Sequence, residues 1–278
     1  MPTWVTGVVL VLLAGPFILG GIHSIGALNS YLVPFMAVVY MLGATGVIAA
    51  NADQLPAALA TIFSDAFTGT AAVGGFAGTT FIAALRFGVA RGIFSNESGL
   101  GTGGIAAAAA QTSQPVRQAL VSMTQTFLDT LVVCTFTGLV IVTSGSWQTG
   151  AAGAAITQAG FRSGLPGAWG GYLVAFGLIT FSYSTMLGWA YYGERQMDRL
   201  FGRRAVTPYR VVFIAAIYVG AVGGLQTVWL FADVFNGLMA LPNLIGLLLL
   251  SGVVARETRR YFSSDAAFDL QARGRSAS

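Results

Sequence analysis

Residues 79–111 read TTFIAALRFGVARGIFSNESGLGTGGIAAAAAQ, and this stretch decides the fold. It is apolar enough to enter a membrane, yet Arg86, Arg91, Asn96 and Glu97 lie near its middle. A charged residue at the centre of a bilayer costs about 2.5–3.5 kcal/mol on insertion scales, so such residues face protein or a water-filled cavity. A membrane helix in this region therefore needs a polar environment inside the protein.

The second half of this stretch is built from small and polar residues that disfavour a continuous helix. Its glycines are Gly99, Gly101, Gly103 and Gly104. Each glycine weakens a helix interior by about 1 kcal/mol. Ser95, Asn96 and Ser98 favour caps and turns, because their side chains compete for backbone hydrogen bonds. We predict a helix that ends near Phe94, a few unwound residues, and a second half-helix from about Gly101.

An unwound segment inside a membrane helix is typical of a ligand site, because such backbone survives only where it lines a cavity or is buried in protein. The free N–H groups of one half-helix suit a carboxylate, and the free carbonyls of the other suit a cation. Secondary transporters build their sites in this way. The alternatives are a re-entrant hairpin or a glycine-rich packing interface without a ligand. A nucleotide-binding loop is disfavoured, since no strand precedes the glycines.

The composition of the whole chain indicates an all-α membrane protein. Of its 278 residues, 55% are hydrophobic and 9% are charged, and the mean hydropathy is +0.73. A soluble domain carries about 25% charged residues, whereas a spanning helix needs about 20 mostly apolar ones. We predict about seven membrane segments, including one broken helix, at about 5–22, 31–50, 79–111, 116–143, 170–193, 209–230 and 236–256.

Several classes of function are disfavoured by what the chain lacks. Cys134 is the single cysteine, which rules out a disulfide framework or a thiolate metal site. His23 is the single histidine, which argues against a histidine-rich metal site and a Ser-His-Asp hydrolase. We expect no enzymatic activity and, because the arginines fall in short loops between apolar runs, no nucleic-acid partner.

The arginines predict the orientation, since cytoplasmic loops carry an excess of basic residues. They cluster after the 170–193 helix and at the start of the C-terminal tail, and Arg117 opens the 116–143 helix. We expect a multi-pass protein of the cell inner (plasma) membrane with a cytoplasmic C-terminus. Residues 1–262 would form the transmembrane core, and residues 263–278 a disordered cytoplasmic tail. The clustered arginines are Arg195, Arg199, Arg203, Arg204, Arg210, Arg256, Arg259 and Arg260.

Two further places in the apolar runs hold polar side chains. Thr185 and Trp189 are four residues apart and share a helix face, and the neighbouring hydroxyls of Ser184 and Thr185 could coordinate a hard cation such as sodium. Alternatively, these hydroxyls bond the carbonyl one turn back. Asp129 belongs either to an ion or proton path or to a structural pairing with Arg86, Arg91 or the broken backbone.

Four collinear segments resemble the alanine or glycine:cation symporter family, also called sodium:alanine symporters. The similarity extends from Trp4 to about Phe262. The segments are GVARGIFSNESGLGTGGIAAAAAQT (88–112), PVRQALVSMTQTFLDTLVVCTFTGLVIVTSG (115–145), STMLGWAYYGER (184–195) and NGLMALPNLIGLLLLSGVV (236–254).

The resemblance implies a partial leucine-transporter-like inverted-repeat fold, in which residues 79–111 form the first helix of the second repeat. It implies sodium-driven uptake of a small neutral amino acid, alanine or glycine, with sodium as the coupling ion and no other cofactor. Ser184 and Thr185 are expected at the sodium ion. The residues expected to bind substrate are Phe94, Ser95, Asn96, Ser98, Gly99, Thr185 and Trp189.

The chain departs from the family pattern in two respects. Family members commonly read SNEAGLGSAPIAHAA, whereas here Ser98 replaces the Ala and TGGIAAA stands for SAPIAHA. The lost Pro and His are expected to change the second half-helix or the selectivity. The first three core helices of the family have no counterpart, so we expect a C-terminal part of a symporter. The alternative is a vestigial or scaffold membrane fragment that does not transport.

Overall fold

The computed structural model describes residues 2–68, 77–151 and 153–263 of the chain. Within these ranges every regular element is helical, which confirms the all-α class. Most of the expected tail, from residue 264 onward, lies outside the described residues. The α-helices are α1 (Thr3–Gly20), α2 (Ile22–Ala50), α3 (Leu55–Thr68), α4 (Ala77–Asn96), α5 (Thr102–Ala107), α6 (Pro115–Thr126), α7 (Thr135–Thr143), α8 (Ala154–Gly164), α9 (Trp169–Phe201), α10 (Val206–Val222) and α11 (Leu225–Ser263).

Six helical segments in the described part of the chain are long and apolar enough to cross a membrane. They overlap the six uninterrupted runs of the sequence prediction, so the chain is a multi-pass membrane protein. A seventh crossing by the interrupted run, and the inverted repeat, remain predictions. The six segments are Thr3–Gly20, Ile22–Ala50, Pro115–Thr143, Trp169–Phe201, Arg203–Val222 and Thr227–Ser263.

Several helix boundaries differ from those predicted, because polar residues do not end these helices. The second helix begins at Ile22 instead of about residue 31, directly after Gly21, whose φ of 71° stops α1. The last helix begins at Leu225 instead of about residue 236, because the preceding helix ends at Val222 and the chain bends at Gly223. Residues 55–68, which lie between the second and third predicted membrane segments, form α3.

The described residues fall into two compact units. Unit 1 comprises Met1–Val89 and Thr130–Val228, and unit 2 comprises Ala90–Asp129 and Trp229–Ser278. The start of α4 therefore belongs to unit 1 and its last turns to unit 2. A π-helical segment, Phe127–Cys134, lies between α6 and α7 in the chain and contains the boundary between the units at Asp129 and Thr130.

The core of unit 1 lies where α2 packs against α7, α8 and α9. Its buried side chains are Tyr40, Ala44, Val47, Val140, Phe161 and Val174. Helix α9 approaches α8 so closely that a Cβ on Gly170 would overlap the carbonyl group of Phe161. Small residues commonly allow this approach between membrane helices, so a glycine is required at position 170.

A buried ion pair joins three helices of unit 1. The Arg210 guanidinium donates to both carboxylate oxygens of Glu194, through Nε at 2.8 Å and Nη2 at 2.9 Å. Its Nη1 donates to the backbone carbonyl of Leu19 at 2.7 Å. The two charged side chains are only 19% and 10% exposed. Arg210 lies in α10 and connects it to α9 and to the end of α1. The sequence analysis had placed this arginine in a short loop, where it would only have indicated the orientation of the protein.

Candidate functional site

The predicted interruption of residues 79–111 is confirmed. Helix α4 ends at Asn96, residues 97–101 are not helical, and the chain becomes helical again at Thr102. The first half-helix extends two residues beyond the predicted end at Phe94. The second, α5, has only six residues. We call residues 97–101 the break.

Left-handed backbone conformations produce the break. Glu97 has a φ of 57°, and Gly99 and Gly101 have φ values of 83° and 86°. For a residue other than glycine this conformation costs about 1–2 kcal/mol, and Glu97 is the one such residue in the described part of the chain. A turn closes across the start of the break, where the Ser98 N–H donates to Asn96 Oδ1 at 2.9 Å. This hydrogen bond therefore stabilises the backbone on either side of the strained residue Glu97.

On one side, hydroxyl groups join the broken helix to α6 and the π-helical segment. Ser95 Oγ donates to Asp129 Oδ1 at 2.9 Å, and Ser98 Oγ lies 3.2 Å from Thr126 Oγ1. Asp129 is in the π-helical segment, and such segments are frequent at functional sites. Of the structural pairings considered for Asp129, one with Arg91 is wrong, because Arg91 pairs with Asp233 instead. The carboxylate of Asp129 lies at the end of the broken helix, so it belongs to this site.

On another side, α11 contacts the break through Asn243. Its Nδ2 donates to the carbonyl oxygen of Gly99 at 2.9 Å. Sequence reasoning missed this residue, although an amide directly after Pro242 in an otherwise apolar run was a usable signal. Pro242 itself lies inside helix α11.

Thr102 is a second residue that the sequence analysis did not select. It is 5% exposed, and its Oγ1 has no hydrogen-bond partner among the described residues. Buried hydroxyls are normally hydrogen-bonded, so this oxygen is available to a ligand. It directly follows Gly101, where the chain leaves the break.

The five predicted ligand residues of unit 2 therefore lie together in residues 94–99, at the end of α4 and in the first part of the break. Phe94, Asn96 and Gly99 are half-buried, and Ser95 and Ser98 are exposed. Hydroxyl, amide and backbone oxygens dominate their surroundings. Such hard oxygen donors suit a small cation or the ammonium group of an amino acid.

The remaining predicted residues lie on α9 in unit 1. Ser184 is buried, Thr185 is exposed, and the half-buried ring of Trp189 lies 5.9 Å from that of Tyr192. In the described residues, neither the Ser184 nor the Thr185 hydroxyl bonds the carbonyl one turn back. Thr180 does so, donating to Phe176 O at 2.9 Å. The structural alternative for the Ser184 and Thr185 hydroxyls is therefore not realised in this structure.

A cavity of about 360 Å³ in unit 2 contains none of the predicted site residues. It lies between the start of α6 and the end of α11. Its lining residues are Ser113, Gln114, Pro115, Val116, Glu257, Arg260 and Tyr261. The candidate site is thus defined by the break and its polar contacts.

Comparison with known proteins gives the chain a family. The profile of the sodium:alanine symporter family matches residues 1–272. An uncharacterized transporter of Haemophilus influenzae is 48% identical over 94% of this chain and 58% of its own length. The sodium/alanine symporter AgcS of Methanococcus maripaludis is 49% identical over 92% of this chain and 56% of its own length. The probable sodium/glutamine symporter GlnT of Bacillus subtilis is 40% identical over 92% of this chain and 53% of its own length.

The chain spans about half the length of these curated relatives. The family profile matches nearly all of the residues of this chain, including those of the broken helix and of α9. The chain belongs to the sodium:alanine symporter family.

Proposed function

We propose that this chain is the C-terminal part of a symporter that carries a small neutral amino acid, alanine or glycine, into the cell with sodium. The break at residues 97–101, in a member of a symporter family, is the observation that carries this proposal. The protein would cycle by alternating access, as one bundle of helices moves against the other around the ligand. It would lie in the cell inner membrane with its C-terminus in the cytoplasm.

In this proposal the ligand binds at backbone and side-chain groups that the break leaves available. A helix end has up to four carbonyls without a partner in the helix, and those at the end of α4 suit the ammonium group of an amino acid. Ser95, Asn96 and Ser98 add polar contacts, and Phe94 contacts the apolar part of the substrate. Because α5 has only six residues, its dipole contributes less to holding a carboxylate than a long half-helix would.

The α9 residues keep the roles that the family resemblance implies. Ser184 and Thr185 would coordinate sodium through their hydroxyl oxygens, and Thr185 and Trp189 would line the substrate site. The support is the absence of a back-bond from either hydroxyl in the described part of α9, which leaves both oxygens available. Sodium prefers such hard oxygen ligands.

The transport assay must include amino acids other than alanine and glycine, because the relatives are named for different substrates. One relative is named for alanine and another for glutamine. In this chain Ser98 stands at a position where family members commonly have Ala, which puts an additional hydroxyl at the break. We expect alanine or glycine to compete better than glutamine, because the family resemblance implies a small neutral substrate.

The test is uptake of labelled alanine into proteoliposomes, with and without an inward sodium gradient. We would compare the chain alone with a chimera that joins it to the preceding part of the M. maripaludis symporter. Sodium-dependent uptake is expected from the chimera and none from the chain alone. The intact relative, reconstituted in parallel, is the positive control.

A chimera that inserts at normal levels but imports no alanine, glycine or glutamine would reject the symporter proposal. The non-transporting scaffold would then be favoured, particularly if neither alanine nor sodium raised the thermal stability of the chain. Uptake by the chain alone would keep the symport proposal and remove the need for a preceding part.

A further inference from the structure

The last turns of α4 before the break are attached to α11 by three side chains, which we call the docking cluster: Arg91, Trp229 and Asp233. The Arg91 guanidinium donates to both oxygens of the Asp233 carboxylate, at 2.8 Å from Nη1 and 3.2 Å from Nη2. Its Cζ also lies 4.1 Å from the centre of the Trp229 ring. One planar group thus makes a bidentate ion pair and a cation–π contact with the same helix.

The docking cluster continues to a predicted ligand residue. The Phe94 ring meets the Trp229 ring edge to face, with 6.1 Å between centroids. Arg91 and Phe94 are three residues apart on α4, and Trp229 and Asp233 are four apart on α11, so each pair shares one helix face. Trp229 therefore contacts both Arg91 and Phe94 and fixes the rotation of this end of α4.

Helix α11 also holds the break itself, through the hydrogen bond from Asn243 to Gly99. Asp233 and Asn243 are ten residues apart, which corresponds to about 15 Å along a helix. The same helix is thus attached to the chain before the strained residue Glu97 and after it. Both attachments lie within unit 2.

The exposure of the ion pair indicates what it contributes. The Arg91 and Asp233 side chains are 38% and 35% exposed, so solvent screens their attraction and its effect on global stability is small. A bidentate, stacked guanidinium nevertheless has a defined geometry, which a lysine would not reproduce. We therefore expect the ion pair to contribute mainly by orienting the end of α4 against α11.

We infer that Asp233 and Trp229 are positioning residues: acting through Arg91, they hold residues 94–96 in the orientation that the ligand site requires. The identity of the ligand rests on the function proposed above, whereas the docking of α4 on α11 does not. Neither residue is itself placed at the ligand.

The test is hydrogen–deuterium exchange of the full chain in lipid nanodiscs, read on peptides that cover residues 92–103. Asp233→Asn keeps the shape of the side chain and removes its charge. We expect it to speed exchange in these peptides about two- to fivefold, because a partly exposed ion pair contributes about 0.5–1 kcal/mol and about 1.4 kcal/mol corresponds to tenfold. Arg91→Lys should have a similar effect. The charge reversal Arg91→Asp with Asp233→Arg should restore most of the protection.

The matched control is Asp198→Asn, which removes the exposed ion pair between Arg195 and Asp198 in unit 1. It should leave residues 92–103 unchanged. Trp229→Phe is a second variant that keeps a ring against Phe94, and should give a smaller increase than Asp233→Asn. Equal exchange in the parent, Asp233→Asn and Arg91→Lys proteins would overturn the inference. An equal increase in the α9 peptides would also overturn it, since the cluster would then act on stability in general.

Adding L-alanine and sodium to the same samples separates this inference from the proposed function. Protection of residues 92–103 in the parent, with a several-fold weaker apparent affinity in Asp233→Asn, supports both. No protection in the parent, together with faster exchange in Asp233→Asn, rejects ligand binding by the chain and retains the docking. Unchanged affinity for alanine in Asp233→Asn overturns the positioning role.

Discussion

The side-chain amide of Asn243 donates a hydrogen bond to the carbonyl oxygen of Gly99, and the two atoms are 2.9 Å apart. This bond fixes the break against α11. The same amide also limits what position 101 can hold, because a Cβ built on Gly101 would lie 2.9 Å from Asn243 Oδ1. Asn243 therefore contacts two residues of the break, Gly99 through its backbone carbonyl and Gly101 at a position where a Cβ would be too close.

Gly101→Ala is expected to destabilise the protein by about 1–2 kcal/mol. The new methyl group would meet Asn243, and the φ of 86° is unfavourable for alanine. Thermal unfolding of the purified protein in detergent measures the loss. Gly104→Ala is the matched control, because its Cβ would meet nothing within 4 Å and position 104 is inside α5. Equal melting temperatures for both variants would contradict this account of the break.

Asn96→Ala and Trp189→Ala are each expected to reduce sodium-dependent alanine uptake by the chimera at least tenfold, with normal expression. Loss of the Asn96 amide removes the acceptor for the Ser98 N–H and a polar group beside the break. Loss of the Trp189 ring removes an apolar wall of the proposed substrate site. Trp169→Ala is the control, since Trp169 is 73% exposed at the start of α9. If both variants transport like the parent, the assignment of the site is wrong.

Glu194→Gln is expected to lower the free energy of unfolding by about 2–3 kcal/mol, because it leaves the Arg210 guanidinium, only 19% exposed, without its counter-charge. The measurement is thermal or denaturant unfolding in detergent. Asp198→Asn breaks a pair whose side chains are 50% and 31% exposed, and should cost less than about 1 kcal/mol. Similar losses in the two variants would show that burial does not determine the contribution of these ion pairs.

Gly170→Ala is expected to destabilise the contact between α8 and α9 by about 1–3 kcal/mol, the usual effect of overpacking a close contact. The added methyl group would overlap the Phe161 carbonyl, and backbone cannot move aside as a flexible side chain can. Gly188→Ala, on the same helix with open space around the new Cβ, should be neutral or slightly stabilising. Melting temperatures of the two variants compare them directly. A neutral Gly170→Ala would show that the two helices can separate without cost.

The sequence predicted the helical class and the broken helix because both depend on local chemistry. Apolar runs of sufficient length indicate membrane helices, and the cluster of Ser95, Asn96 and Ser98 before the glycines indicates an end to a helix. The limits of α2 and α11 were harder to predict. The predicted segments left Asn29 and Asp233 outside their limits, but a polar side chain can remain in a helix when it has a suitable environment, as Asp233 has through Arg91.

The contacts around the break could not be read from the sequence, because they join residues far apart in the chain. Ser95 and Asp129 are 34 residues apart, and Gly99 and Asn243 are 144 apart. The sequence analysis could name possible partners for Asp129, but no local pattern predicted that Arg91 would form an ion pair with Asp233. The roles of Phe94, Ser95, Asn96, Ser98, Gly99, Ser184, Thr185 and Trp189 in ligand binding remain predictions.

The hydrogen bond from Arg210 to the Leu19 carbonyl has a consequence for biosynthesis. The two residues are 191 positions apart, so the ribosome makes the end of α1 long before the side chain that binds it. At about 5–20 residues per second, the interval is roughly 10–40 s. During that time the first two helices must remain in the bilayer with this carbonyl bound by water, lipid or the insertion machinery. Completion of unit 1 therefore waits for the synthesis of α10.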